Sequence, residues 1–171
     1  MTDKYQLMEK AKKLASEYES KYMGCAHSTF AAIADTLEIY DEKIFKALIG
    51  LTGGTGDMTF GTCGGLVGAT AAIGVIFGVN RDKLTQEVVS QITALTAKVG
   101  KKFIDTYGSY LCREIHKKIY GETFNLRDPE ELQRFLSRPD IWKCGEVCGN
   151  AAAWAIEAIL DAKSSGKNST I

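Results

Sequence analysis

The sequence predicts an all-α fold, a single-domain multi-helix bundle with a buried glycine-rich central helix. Three observations carry that expectation: apolar residues recur at helical spacing through most of the chain, helix-start signatures stand at Asp41 and at Asp128-Pro129, and no alternating strand pattern occurs. A chain of 171 residues fits one domain. A domain of this size buries roughly 70% of the surface its unfolded chain exposes, so its core needs no disulfides. Without repeats, low-complexity linkers or composition shifts, residues 1–162 are expected to form one domain and residues 163–171 a polar, frayed tail.

Tyr5, Leu7, Met8, Ala11, Leu14 and Ala15 lie on one face of a first amphipathic helix whose other face is lysine and glutamate. After Gly24 and Cys25, the alanine- and isoleucine-rich segment Ser28 to Leu37 predicts a second, more deeply buried helix. Asp41 caps a third, Glu42 to Ile49. Ten of the 17 glycines fall between Gly50 and Gly78, and Leu51 to Gly61 has no helical period, which predicts an ordered glycine-rich loop. From Cys63 onward small residues recur at Gly64, Gly68, Ala71, Ala72 and Gly78, the pattern of a central helix that neighbours approach closely. Further helices are expected from Asp82 to about Lys102 and from about Tyr107 to Tyr120, the latter ending at Gly121. Asp128, Pro129 and Glu131 start a short helix to Leu136, and after Pro139 a last helix runs from about Trp142 to Ala162.

Composition narrows the function classes. Hydrophobic residues are 45% and charged residues 25% of the chain, ordinary values for a folded protein. Lysine plus arginine equals aspartate plus glutamate at 21 each. No net field therefore draws the chain to nucleic acid or to an anionic membrane. The most apolar run, Leu66 to Val79, is broken by glycines and shorter than the ~20 residues a membrane span needs. Met1 to Tyr22 alternates charged and apolar residues, unlike a secretory signal, so a cytoplasmic location is expected.

In that reducing compartment, five cysteines point to catalytic, redox or metal-binding thiols, and an odd number cannot all pair within one chain. They are Cys25, Cys63, Cys112, Cys144 and Cys148, separated by 37, 48, 31 and three intervening residues. A helix N-terminus offers free N–H groups and partial positive charge, which biases a thiol there toward thiolate. Cys63, Cys25 and Cys144 all fall at predicted helix starts, so three such starts can converge on one pocket. For Cys148 alone, packing as a small buried hydrophobe is the better reading. Cys144 and Cys148 share a helix face at a spacing that suits two ligands on one metal. Cys112 and His116 lie one turn apart, which allows a mixed sulfur and nitrogen site, although Lys117 and Lys118 suggest a solvated histidine. His27, two residues past Cys25, is equally open. Tight Cys-x-x-Cys pairs of a zinc ribbon are absent from the sequence.

The segment Gly53-Gly54-Thr55-Gly56-Asp57 lacks the lysine and hydroxyl residue of a phosphate loop, and no strand precedes it. It is expected to be a tight loop packed against Cys63, with Asp57 capping backbone or facing water. No elbow motif supports Ser-His-Asp hydrolysis.

Tyr22-Met23-Gly24-Cys25-Ala26, Thr62-Cys63-Gly64-Gly65-Leu66-Val67-Gly68, Tyr107-Gly108-Ser109-Tyr110-Leu111-Cys112-Arg113-Glu114 and Lys143-Cys144-Gly145-Glu146-Val147 resemble, in order, the four cysteine sites of the C-GCAxxG-C-C family. That family has four characteristic cysteines and a Cys-Gly-Ala-x-x-Gly motif. The resemblance spans most of the chain. Gly65 stands where the motif has alanine, and Cys148 is additional to the four. The resemblance implies a helical fold and a redox role. Related domains fused to a split-Soret type cytochrome imply further that such cysteines can hold an iron–sulfur cluster.

The expectation is therefore a cysteine-based redox protein. Cys25, Cys63, Cys112 and Cys144 are expected to ligate an iron–sulfur cluster for electron transfer to a redox partner protein, with Cys148 and His116 as substitute ligands. One alternative is a metal-free dithiol oxidoreductase in which Cys63 and Cys25 carry the chemistry. Another is a non-catalytic, zinc-stabilised interaction module. Trp142 and Trp154, with the glycine-rich helices, suit either a symmetric homodimer interface or the core.

Overall fold

A computed structural model describes residues 3–166. Among them, eight α-helices follow in order: α1 (Lys4–Tyr22), α2 (Cys25–Leu37), α3 (Glu42–Leu48), α4 (Gly64–Phe77), α5 (Gln86–Tyr107), α6 (Cys112–Tyr120), α7 (Pro129–Leu136) and α8 (Lys143–Ser164). Short 3-10 turns occupy Ile49–Leu51 and Arg81–Lys83. The extended pairing among the described residues is one isolated antiparallel bridge, Thr62 to Leu111. The fold is all-α.

Local chemistry sets the helix ends. The Asp41 carboxylate accepts from the N–H groups of Lys43 (2.7 Å) and Ile44 (3.3 Å), and Asp128 accepts from Glu130 and Glu131 (3.0 Å each) with Pro129 in the first turn. Glu131 does reach back, but to the N–H of Asn125 (2.7 Å) rather than to the cap residue.

Several boundaries differ from the sequence expectation. α2 begins at Cys25, not Ser28. Asp82 lies in a 3-10 turn, and α5 starts only after Thr85, whose hydroxyl accepts from the Val88 N–H at 3.3 Å. α5 then continues to Tyr107, whose ring packs on Phe103 at 5.5 Å, until Gly108 ends it at φ +79°. A new helix opens at Cys112. α8 includes Lys163 and Ser164, so the expected tail is helical at its start, and residues 167–171 lie outside the described residues.

The main core joins α1, α2, α4 and α8, and small residues make it tight. Ala11 and Ala15 of α1 are fully buried against α8, where a Cβ on Gly149 would stand 2.8 Å from the Lys12 carbonyl. The Ser16 hydroxyl donates to the Gly145 carbonyl at 2.8 Å. On α4, a Cβ on Gly68 would run into the Ala26 carbonyl, and one on Gly64 into the Cys25 sulfur. Trp154 packs edge-on to Phe103 at 5.4 Å and joins this core, whereas Trp142 is 54% exposed. A second cluster of Tyr120, Phe124 and Phe135 couples α6 and α7 to the start of α8.

Candidate functional site

Each of four cysteines stands at a helix N-terminus. Cys25 is the first residue of α2, Cys63 the N-cap of α4, Cys112 the first residue of α6 and Cys144 the second of α8. The sequence suggested three such starts; the fourth arises because Gly108 closes α5 before Cys112. Cys63, Cys112 and Cys148 are buried, Cys25 and Cys144 partly so, and all five are free thiols.

The glycine-rich loop gathers these ends. Gly53, Gly54, Thr55, Gly56 and Asp57 all have φ between 57° and 70°. Such left-handed backbone is unfavourable for side chains with a Cβ, so three glycines among five residues make the turn accessible. The turn aims the Gly53 N–H at the Cys25 sulfur, 3.4 Å away. It also brings Gly54 against Cys112, whose Cβ would lie 2.7 Å from a Cβ on Gly54. Beyond the loop, the Cys63 N–H donates to the Tyr110 carbonyl (2.8 Å) and the Cys112 N–H to the Gly61 carbonyl (3.0 Å), so the bridge sets these two cysteines side by side. The Thr59 hydroxyl donates to the Phe124 carbonyl at 2.8 Å, which ties the loop to the second aromatic cluster.

That cluster closes the circle. The His116 Nε2 lies 3.8 Å from the Cys112 sulfur and 3.7 Å from the Cys144 sulfur. The Tyr120 hydroxyl accepts from the Cys144 N–H (3.2 Å) and donates to the Ile141 carbonyl (2.9 Å). Cys148 lies in the main core with Cys63, against the start of α4, with its sulfur 3.9 Å from the Cys25 carbonyl. Cys144 packs on the second cluster, whereas Cys148, like Cys25 and Cys63, belongs to the first. Among the described residues, no three His, Cys, Asp or Glu side chains form a group that could hold one metal ion.

Electrostatics corrects a second expectation. Burial pushes the Cys63 thiol up to about 12, helped by the neighbouring Cys25 and only partly opposed by the N–H groups of Gly65 and Leu66. The helix start favours the thiolate as expected, but desolvation outweighs it. Burial likewise raises Cys25, against the opposing N–H groups of Gly53 and Gly64. Cys112 is raised first by burial and then by Cys63, Cys25 and Cys144, and Cys144 by burial, Glu19, Cys25 and Cys63, with Tyr120 opposing. Cys25 and Cys63 thus both help raise Cys112 and Cys144, and they help raise Cys148 as well.

One histidine also differs from expectation. His116 is 3% exposed, because Lys117 and Lys118 turn to solvent while the helix carries its imidazole inward. Burial, then Arg138, lowers its pKa to about 4. His27 is buried, with Nε2 3.1 Å from the Tyr22 carbonyl, Nδ1 3.4 Å from the Thr52 hydroxyl and its ring against Phe45. It braces the loop and meets no cysteine through these contacts. Asp57 is partly buried, and burial raises its carboxyl. Tyr120 and Gly53 escaped the sequence reading. The spacing His116, Tyr120, Phe124 was the signal for the aromatic wall; the Gly53 contact left none.

Fold and geometry define a helical protein in which four free thiols stand at helix N-termini near one glycine-rich loop. The chain belongs to the C_GCAxxG_C_C family, described as "Putative redox-active protein", whose sequence model matches residues 23–158. Searches of curated proteins and of solved structures each give no match. No helix among the described residues is long and apolar enough to cross a membrane.

Proposed function

We propose that this chain is an electron-transfer protein in which Cys25, Cys63, Cys112 and Cys144 hold an iron–sulfur cluster as thiolates. The observation that carries the reading is the placement of all four sulfurs at helix N-termini around one glycine-rich loop. Each N-terminus supplies a partial positive charge of roughly half a unit. Four together favour an anionic group, and iron bound by four thiolates is one. The Gly53 N–H, already directed at sulfur, is the kind of donor that tunes such a site.

The donor chemistry fits. When bound, the cluster would accept and release single electrons. The chain's own residues bind it through sulfur, keep water away with the Phe124 and Phe135 wall, and offset its charge with backbone N–H groups. Thiol exchange is less well supported: burial raises these thiols, and a protonated thiol is a poor nucleophile. Metal coordination removes that obstacle by deprotonating the thiol outright. A redox partner would meet Met23, Phe60, Tyr110 and Trp142, each exposed and two or three residues ahead of a site cysteine.

Anaerobic purification with iron and acid-labile sulfide analysis and a visible spectrum tests this. A coloured protein with matched iron and sulfide is expected. A colourless protein that stays iron-free after reconstitution overturns it. A reversible dithiol titration in that protein would leave thiol exchange standing, and stoichiometric zinc the structural module.

A further inference from the structure

Between Cys112 and Cys144 stands a side chain whose polar atoms are only half used. The His116 ring stacks on Phe135 (centroids 5.4 Å apart, planes at 15°) and meets the edges of Tyr120 (5.5 Å) and Phe124 (6.0 Å). Three aromatic neighbours fix its orientation. Nε2 therefore faces both sulfurs, at 3.8 and 3.7 Å, while Nδ1 is buried without a hydrogen-bond partner.

A neutral imidazole carries one N–H and one bare nitrogen. Were the proton on Nδ1, a buried N–H would lack an acceptor, an arrangement that folded proteins rarely contain. With the proton on Nε2, two sulfurs share the donor and only a lone pair is left bare. The second arrangement wastes less, and it improves when the sulfurs are thiolates, because hydrogen bonds to charged acceptors are the stronger ones.

We propose that His116 is a positioning residue of the thiolate site, sharing its Nε2–H between the sulfurs of Cys112 and Cys144. This rests on the reading of those cysteines as cluster ligands, but it gives His116 a role other than ligation. The two sulfurs come from helices far apart in sequence, and one donor holds both in register. In the loaded protein the same N–H withdraws charge from two ligands and so favours the reduced, more negative state.

The test combines ¹⁵N-histidine NMR of the imidazole, in metal-free and iron-loaded protein, with the variants His116→Leu and His116→Gln. Expected are the Nε2–H tautomer in both forms and a wild-type iron-to-protein ratio in His116→Leu. Its midpoint potential should move to more negative values, with part of that shift restored by the amide of His116→Gln. An Nδ1–H tautomer overturns the proposal, as does an unchanged potential in an iron-loaded His116→Leu. So does nitrogen hyperfine coupling between His116 and the cluster, which would make it a ligand. Should wild-type protein take up no iron, the cluster reading falls separately, and the tautomer in metal-free protein still decides this one. Should circular dichroism show His116→Leu unfolded, the tautomer and His116→Gln decide it.

Discussion

Cys63 and Cys148 are both buried sulfurs of the main core, yet they face different surroundings. Cys63 caps α4 beside Cys25 and Cys112, whereas Cys148 meets the Cys25 carbonyl from the second turn of α8. Cys63→Ser should therefore abolish iron binding while helix content persists. Cys148→Ala should keep the wild-type iron-to-protein ratio and destabilise the fold by about 1–2 kcal/mol, the loss of one packed sulfur from a core with no room to relax. Iron analysis and urea denaturation of both variants check this, and an iron-free but folded Cys148→Ala would make Cys148 a ligand. At this scale the helix-start positions of Cys25, Cys63 and Cys144 were legible because start signals flank them, whereas that of Cys112 was not. The balance at each thiol was not, since desolvation depends on what the rest of the chain packs around it, as the raised Cys63 shows. The burial of His116 was hidden for a similar reason: neighbouring lysines report where their own side chains go, and each step along an α-helix turns the next position by about 100°.

α4 is the element that brings the site together, and its glycines are not equivalent. Gly68 faces α2 so closely that a Cβ there would collide with the Ala26 carbonyl, backbone that cannot step aside. Gly74, in the same helix, has no atom within 4 Å of its would-be Cβ. Gly68→Ala should force α2 and α4 apart and destabilise the protein by about 1–3 kcal/mol. Because separation moves Cys25 away from Cys63, it should also weaken iron retention. Gly74→Ala should stabilise by about 0.5–1 kcal/mol, the difference in helix propensity, with iron retention unchanged. Denaturation midpoints of the pair are the measurement, and equal effects from both would show that α4 does not depend on close approach at Gly68. Helix existence was legible because apolar spacing and caps such as Asp41 and Asp128 act within a few residues. That α5 and α6 are separate helices was legible, but the position of the break was not, because Tyr107 packs on Phe103 and on Trp154 of α8 and ends α5 instead of opening α6. Nor was the loop's course: glycines announce left-handed backbone, but its aim at Cys25 depends on where α2 lies.

With 21 basic and 21 acidic residues the molecule has no strong overall field, so the pH dependence of its metal-free stability is set by a few buried groups. The folded chain keeps protons on Cys63 up to about 12 and holds Cys25, Cys112, Cys144 and Cys148 raised as well. The unfolded chain gives those protons up near the usual thiol value of about 8.5. Stability conferred by the neutral thiols is therefore complete below about pH 8.5 and falls as pH rises beyond it, by at most about 1.4 kcal/mol per pH unit for each group. His116 acts on the other side. Its folded pKa of about 4 lies below the unfolded value of 6.5, so the unfolded chain takes up a proton first as pH falls from 6.5, and stability declines with it. The metal-free protein should thus show a plateau between these limits and a decline on either side. In His116→Leu the acid decline should flatten above about pH 5, before most carboxylates titrate. Loading with iron should remove much of the alkaline decline and release protons on binding, because the ligating sulfurs are then thiolates in the fold as well. Chemical denaturation from pH 5 to 10, with and without iron, reads both limbs. A metal-free protein with no alkaline decline would mean that the folded thiols ionise as readily as unfolded ones, which is incompatible with sulfurs shut away behind four helix ends.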